Sequence, residues 1–296
     1  MAKYLITGGT GLVGKRLIDK IVANGDEAVY LSRTCKQQKG CFEWNVKAQT
    51  MDVNAFSGVD YLVHLAGAGI ADKRWDAKRK QEIIDSRVNS TKLLIDTIKK
   101  NNIELKGVVA ASAIGFYGTE TTPKVYKEED GPEKGYLAHV VKLWEEATSK
   151  FRDLGVATTQ LRIGVVLAKE GGALKEMTNP PVLAALGHGK QNIPWVHIDD
   201  LCDMILWSLD NKKNTVYNAV GPEYVNNKQF MKTISMFSPK PLMPINAPAF
   251  VLKLMLGEMA SLVLEGSKIS SEKIQKEGFR FSYETAQAAL KECLQS

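Results

Sequence analysis

Eleven residues near the N-terminus constrain the fold more than any other stretch: Tyr4-Leu-Ile-Thr-Gly-Gly-Thr-Gly-Leu-Val-Gly14. The apolar run Tyr4-Leu5-Ile6 reads as the first buried strand of a parallel sheet. Gly8, Gly11 and Gly14 then recur every third residue into an amphipathic helix from about Leu12 to Ala23. The first glycine permits positive φ in the turn, the second lets backbone N–H groups approach a pyrophosphate, and the third allows close helix–strand packing. A dinucleotide's phosphates would rest on unpaired amides at the positive end of the helix dipole. A glycine turn with no ligand is the alternative, and it is weakened because strand, glycines and helix occur in the required order.

The second strand, Glu27-Ala-Val-Tyr-Leu-Ser32, ends where a dinucleotide fold declares its cofactor. A carboxylate there would bond the ribose hydroxyls, whereas an arginine suits a 2′-phosphate. This chain offers Ser32-Arg33 and no acid at the tip, and a guanidinium holds phosphate through paired hydrogen bonds. The expectation is NADP(H) over NAD(H), with a merely solvated Arg33 as the alternative.

Farther along, Gly40 to Trp44 reads as a short extended piece and Met51 to Ala55 as a short helix. Val59 to Gly67, Gly107 to Ser112 and Val156 to Ile163 read as buried strands, with helices over Asp76 to Lys100 and Tyr136 to about Phe151. His64 lies within an apolar strand and reads as packed, not catalytic. Trp195 to Asp200 leads into a helix from Leu201 to Leu209, and Thr215 to Ala219 is one more strand. This alternation predicts an α/β fold, a Rossmann doubly wound parallel sheet over residues 1–220. A smaller, mostly helical C-terminal substrate lobe is expected over 221–296, with the glycine- and proline-rich stretch 165–192 contributing to it.

The formal net charge of +6 raises nucleic acid as a partner, but lysines and arginines sit among acidic neighbours, as in Lys127-Glu128-Glu129, and read as solvated faces. Cys35, Cys41, Cys202 and Cys293 show no metal-ligand spacing, so no metal is expected and the four read as free thiols of a reducing compartment. Nothing resembles a signal peptide. No run reaches the ~18 apolar residues of a membrane span, since Phe250 to Leu264 is broken by Lys253, Gly257 and Glu258. The expectation is a cytoplasmic protein acting on a small molecule, with neither nucleic acid nor membrane as partner.

With these residues in view, the chain resembles the extended short-chain dehydrogenase/reductases, whose T-G-x-x-G-x-x-G motif is matched by Thr7 to Gly14. Within that class it most resembles the atypical, YfcH-like epimerase family. The matching blocks are Leu65-Ala-Gly-Ala-Gly-Ile-Ala-Asp-Lys-Arg-Trp75, Ser86 to Thr91, Ser112 to Gly118, Leu161 to Leu167, Gly171 to Met177 and Trp195 to Asp200. Leu256 to Ala260 and Gly278 to Tyr283 fit that family's small C-terminal domain, so the resemblance runs nearly end to end. It implies phosphate contacts from Gly8, Gly11, Leu12 and Val13, a 2′-phosphate held by Ser32 and Arg33, and an adenosine-side wall from Leu65 and Ala66. Glu82, Arg87 and Arg162 are the family's polar positions near the cofactor or crevice. Arg87 stands where ordinary members carry an Asn.

Ordinary members use a tyrosine as general acid/base and a lysine four residues later, one helical turn on, to lower its pKa. Here Tyr136 is followed at that distance by Val140, and Lys142 is six residues away; shifting the frame puts Leu137 and Val141 in the two places. The dyad is missing. One reading is an NADP(H)-dependent oxidoreductase or epimerase with a different proton donor, for which Ser112 and Tyr117 lead, followed by Tyr136 and His197. Arg87 or Arg162 would stabilise an oxyanion, and Trp75, Met177 and Trp195 would wall the substrate pocket. The alternative is a protein that holds NADP(H) without turnover, as a redox sensor or partner-binding module.

Overall fold

The computed structural model describes residues 1–36 and 38–295. The first half comprises β1 (Lys3–Thr7), α1 (Leu12–Ala23), β2 (Glu27–Ser32), β3 (Cys41–Asn45), β4 (Thr50–Met51), β5 (Tyr61–His64), α2 (Ala77–Lys100), β6 (Gly107–Ala113), β7 (Val125–Tyr126) and α3 (Tyr136–Ser149). The second half comprises β8 (Thr158–Ile163), β9 (Val165–Leu167), α4 (Gly172–Thr178), β10 (Trp195–His197), α5 (Ile198–Asp210), β11 (Val216–Ala219), α6 (Asn227–Phe237), α7 (Ala249–Leu256), α8 (Ser261–Leu264), β12 (Lys268–Ile269), α9 (Glu272–Lys276) and α10 (Ala286–Gln295). An eight-stranded sheet in the order β11-β8-β6-β5-β1-β2-β3-β4 forms the centre, every pair parallel except β3–β4. The doubly wound α/β fold expected from the alternation is therefore present. From β1 the chain runs outward through β2 and β3, then returns to pair β5 on the other side of β1. This reversal opens a crevice at the carboxyl ends of β1 and β5.

The strands read as continuous apolar runs because both faces of the sheet are covered. Successive residues alternate sides. Ile6, Val63, Val109 and Leu161 join Leu17 and Ile21 of α1 and Leu201 and Ile205 of α5, while Leu5, Leu62 and Val108 join Leu94 and Ile98 of α2. α2 starts where Asp76 accepts the Arg79 N–H at 2.6 Å, and buries Ile83, Thr91, Leu94 and Ile98 near helical spacing. The ion pairs Arg16–Asp199 (2.6 Å) and Lys20–Asp203 (2.6 Å) lock α1 to α5.

Tertiary pairing decided what local pattern could not. The short helix expected at Met51 to Ala55 is a 3-10 helix over Val53–Phe56, its Asn54 amide capped by Asp52, and Met51 instead ends β4. Two small parallel pairs, β9–β10 and β7–β12, join stretches far apart in sequence. The C-terminal region is mostly helical. α6 and α10 pack Phe230, Ile234, Ala289 and Leu290 around Trp195 and Leu174, yet Ile274, Phe279 and Phe281 return to the core of the main sheet. Among the described residues, no helix is long and apolar enough to cross a membrane.

Candidate functional site

The turn after β1 is built for an anion. Gly8 has φ 74°, a conformation suited to glycine, and its carbonyl accepts the Gly11 N–H at 2.9 Å. A Cβ on Gly14 would run into that same carbonyl oxygen, and one on Gly8 would come within 3.1 Å of the Leu65 backbone. No side chain caps α1 and its first turn carries no acid, so the first amides face the crevice with their dipole uncompensated. Thr7 pins the two strand tips together: its hydroxyl oxygen accepts the N–H groups of Leu65 and Ala66, each at 3.1 Å, and contacts His64 Nδ1 at 2.7 Å. The cleft in front of this turn has a volume of about 2200 Å³. Its walls include Gly8, Gly11, Ser32, Arg33, Leu65, Ala66 and Glu82, with Leu12 and Val13 opening the helix behind. Glycine positions that exclude a Cβ, free helix amides and the Arg33 guanidinium in the wall together fit a dinucleotide.

At the end of β2 the Arg33 guanidinium is exposed and has no hydrogen-bond or ion-pair partner among the described residues. Here the reading of four free thiols is corrected. Cys35 and Cys41 form a disulfide across the connection from β2 to β3, while Cys202 and Cys293 are free and buried. Sequence spacing missed the pair because β3, by pairing with β2, brings Cys41 beside Tyr30 and back under the turn. The same pairing sets Glu43 opposite Ser32 in the cleft wall, and its carboxylate accepts the Cys35 N–H at 3.4 Å.

Beyond the phosphate turn, the tips of β6 and β8 carry a buried polar network. Glu145 of α3 accepts Ser112 Oγ at 2.6 Å and forms a two-point ion pair with Arg162, whose Nη1 donates to Tyr117 Oη at 2.7 Å. Tyr117 in turn donates to Asn218 Oδ1 at 2.7 Å. Both Ser112 and Tyr117 are 2% exposed, and burial pushes the Tyr117 phenol up to about 12. Burial works against the charge of Arg162, but Glu145 outweighs it and the guanidinium pKa is raised.

The face of α3 turned to Gly115 carries Leu137 and Val141, the pair that the shifted frame puts in place of the tyrosine and lysine. Tyr136 lies one residue before them, half-buried. Its ring meets Trp75 edge-on at 5.0 Å, and its hydroxyl donates to the Lys80 carbonyl at 3.0 Å. Arg87 sits behind Gly67, over the Trp144 ring, with Nη1 on the carbonyls of Ala68 (3.1 Å) and Ile83 (3.0 Å). No carboxylate among the described residues pairs with it, and burial lowers its pKa to about 10.

Comparison with known proteins agrees with this geometry. Residues 4–220 match the NAD dependent epimerase/dehydratase family, and residues 247–293 match a domain of unknown function, DUF1731. The chain belongs to the NAD dependent epimerase/dehydratase family. It is similar to the epimerase family protein YfhF of Bacillus subtilis (strain 168), 32% identical over 298 residues, covering 98% of this chain and 97% of that one. Among solved structures it is similar to the human epimerase family protein SDR39U1 (isoform 2), crystallised with NADPH, at 27% identity and a TM-score of 0.87, with 99% of each chain covered. A nucleoside-diphosphate sugar epimerase from Corynebacterium glutamicum is 26% identical with a TM-score of 0.81, covering 99% of this chain and 58% of that one.

For this epimerase/dehydratase family chain, several expected site residues lie away from the cleft. Trp195 is fully buried, packs beneath Gly221 and donates to the Glu223 carbonyl at 3.2 Å, so it is a core residue and not a pocket wall. Met177 packs against the same cluster. His197 is 1% exposed: Nδ1 accepts the Asp199 N–H, capping α5, and Nε2 meets Glu292 at 2.9 Å. Cys293 lies beside that pair, a His-Glu-Cys group that sequence spacing missed. Glu82 lines the cleft but is paired with Arg79 at 2.9 Å. Thr7, Glu43 and Asn218 were missed. For Asn218 a signal existed, a polar side chain inside the apolar run Val216 to Ala219.

Proposed function

We propose that the chain is an NADP(H)-dependent oxidoreductase of the YfcH-like branch, acting on a small carbonyl compound or nucleotide sugar without the Tyr–Lys relay. The observation that carries the cofactor choice is Arg33, a guanidinium in the cleft wall beside Ser32 that has no partner among the described residues. The NADPH in the human relative's structure supports the same choice. When bound, NADP(H) supplies or accepts a hydride. Gly8, Gly11, Leu12 and Val13 would hold its pyrophosphate on backbone amides, and Arg33 would bind the 2′-phosphate through paired hydrogen bonds. Glu43 works against that phosphate by its charge, but its carboxylate is turned to the Cys35 amide.

For proton transfer the reading favours Tyr136. Ser112, Tyr117 and His197 are each at most 2% exposed and spend their polar atoms on buried protein partners, whereas Tyr136 is partly exposed and its hydroxyl is bonded to a backbone carbonyl. Burial raises the Tyr136 pKa, and the Arg87 guanidinium beside it offsets only part of that rise. Arg87, lacking a carboxylate partner, would also stabilise a developing oxyanion. A second reading is favoured by the apolar face of Leu137 and Val141: NADP(H) held without turnover.

Fluorescence titration with NADPH and NADH, followed by a screen of aldehydes, ketones and nucleotide sugars, tests both. The expected result is tighter NADPH binding, reduced about tenfold or more in Arg33→Ala by loss of a charge-assisted phosphate contact. Turnover should fall about a hundredfold in Tyr136→Phe. NADH binding tighter than NADPH would sink the cofactor assignment. Tight NADPH binding with no turnover on any substrate class would leave the sensor.

A further inference from the structure

Among the described residues no helix lies between β2 and β3, and two cysteines bracket that connection. Cys35 lies two residues after Arg33, and Cys41 opens β3. Both line the cleft wall that holds Ser32, Arg33 and Thr34, so the cofactor's 2′-phosphate and the disulfide share one surface. The bond closes a small ring, with Cα atoms 5.4 Å apart and six residues of separation, at the foot of the Arg33 turn. Inside the ring the Gln38 N–H donates to the Cys35 carbonyl at 2.8 Å and the Cys41 N–H to the Gln38 carbonyl at 3.2 Å, whereas around Arg33 itself the ties are slight. Ser32 Oγ donates to the Thr34 carbonyl at 3.0 Å, and the Cys35 amide reaches Glu43 at 3.4 Å. Nothing among the described residues holds the Arg33 side chain, so its place follows from the backbone, and the disulfide is the one covalent tie that joins the hydrogen bonds of this connection in holding that backbone.

We infer that Cys35–Cys41 is a thiol–disulfide site that sets the affinity for the 2′-phosphate of NADP(H); this rests on the reading of Arg33 given above. With the bond closed, the Arg33 turn is already in its binding geometry and little ordering cost remains to be met on association. With the bond open, that cost is added to each binding event. Opening is thiol–disulfide exchange with a dithiol. Its thiolate attacks one sulfur to give a mixed disulfide, and its second thiol then displaces the protein sulfur. Two electrons and two protons pass to the pair, leaving two protein thiols and one oxidised dithiol. Because binding and oxidation are coupled, the linkage is reciprocal: NADP(H) seated in the cleft favours the closed bond by the factor with which the closed bond favours NADP(H).

The test titrates NADPH and NADH into diamide-oxidised and dithiothreitol-reduced protein, with thiol state read by mass. Oxidised protein is expected to bind NADPH about fivefold or more tightly than reduced protein. NADH, lacking the 2′-phosphate, should distinguish the two states by less than about twofold. A Cys35→Ser, Cys41→Ser double variant should bind NADPH like reduced protein under both conditions. On unsubstituted protein, saturating NADP+ should lower the midpoint potential of the pair, a tenfold coupling corresponding to about 30 mV. That measurement keeps the test open should the variant not fold. Equal NADPH affinity in both states, still above NADH, overturns the switch and spares the Arg33 reading. Preference for NADH in oxidised protein overturns that reading and the switch with it. Two thiols that persist after diamide also overturn the switch.

Discussion

Glu145 and Arg162 form a two-point ion pair beneath the tip of β6, with Nε–Oε1 at 2.8 Å and Nη2–Oε2 at 2.9 Å, both side chains nearly buried at 12% and 5% exposure. The pair lies where α3, β6 and β8 meet, and Ser112, Tyr117 and Asn218 hang from it. It organises the buried polar network at those strand tips.

Removing one partner strands the other. Glu145→Ala is expected to cost about 3–5 kcal/mol, because an unpaired guanidinium stays buried. The double replacement Glu145→Leu, Arg162→Met should cost less than the single one. Urea unfolding of both variants checks the order, and a milder single than double variant would contradict it.

Tyr117→Phe removes a hydroxyl that serves Asn218 and Arg162 together. The expected loss is about 1–3 kcal/mol of stability from the partners left unsatisfied. NADPH affinity should stay within about twofold, since the phenol does not face the cleft. A hundredfold fall in kcat with unchanged stability would instead restore Tyr117 as the proton donor.

Gly14→Ala places a methyl against the Gly8 carbonyl oxygen and the Gly9 Cα. Neither backbone group can yield without opening the phosphate turn, so the expected cost is about 1–3 kcal/mol together with loss of measurable NADPH binding. Calorimetric titration of a variant shown to be folded by circular dichroism decides it.

His64 is buried between Thr7 and Thr91, and burial, aided by the Arg87 charge, pushes its imidazole down to about 3. The unfolded chain protonates this group near 6.5, so between about pH 3 and 6.5 the unfolded state binds the extra proton and stability rises with pH. Its stabilisation is whole above the unfolded value and fades as the pH falls below it. Going from pH 7 to 5 should remove about 2 kcal/mol through this residue alone. A His64→Asn variant, weaker overall, should show a correspondingly flatter dependence in urea midpoints at pH 5, 6 and 7.

Much of the architecture was legible in local order. The bounds of α1 and β2 follow from the glycine spacing and the apolar run, and α2 from its helical stripe, because these signals act within a few residues. His64 was legible as packed, from the apolar strand around it. The short strands at 50–51 and 165–167 were not, since a two- or three-residue strand exists only through its partner.

What the sequence determined by itself is the phosphate turn, the Arg33 at its flank and the absent Tyr–Lys pair, all features whose meaning lies in spacing along one segment. Only the tertiary structure decided that Cys35 meets Cys41, that Trp195 is core, and that Tyr117 is tied into a buried network with Arg162, Glu145 and Asn218. Those outcomes depend on strands far apart in the chain pairing in one register, which turns a one-residue shift into the opposite face of the sheet. The glycines of the opening turn mark where a dinucleotide rests; the strands on either side of them determine which side chains reach it.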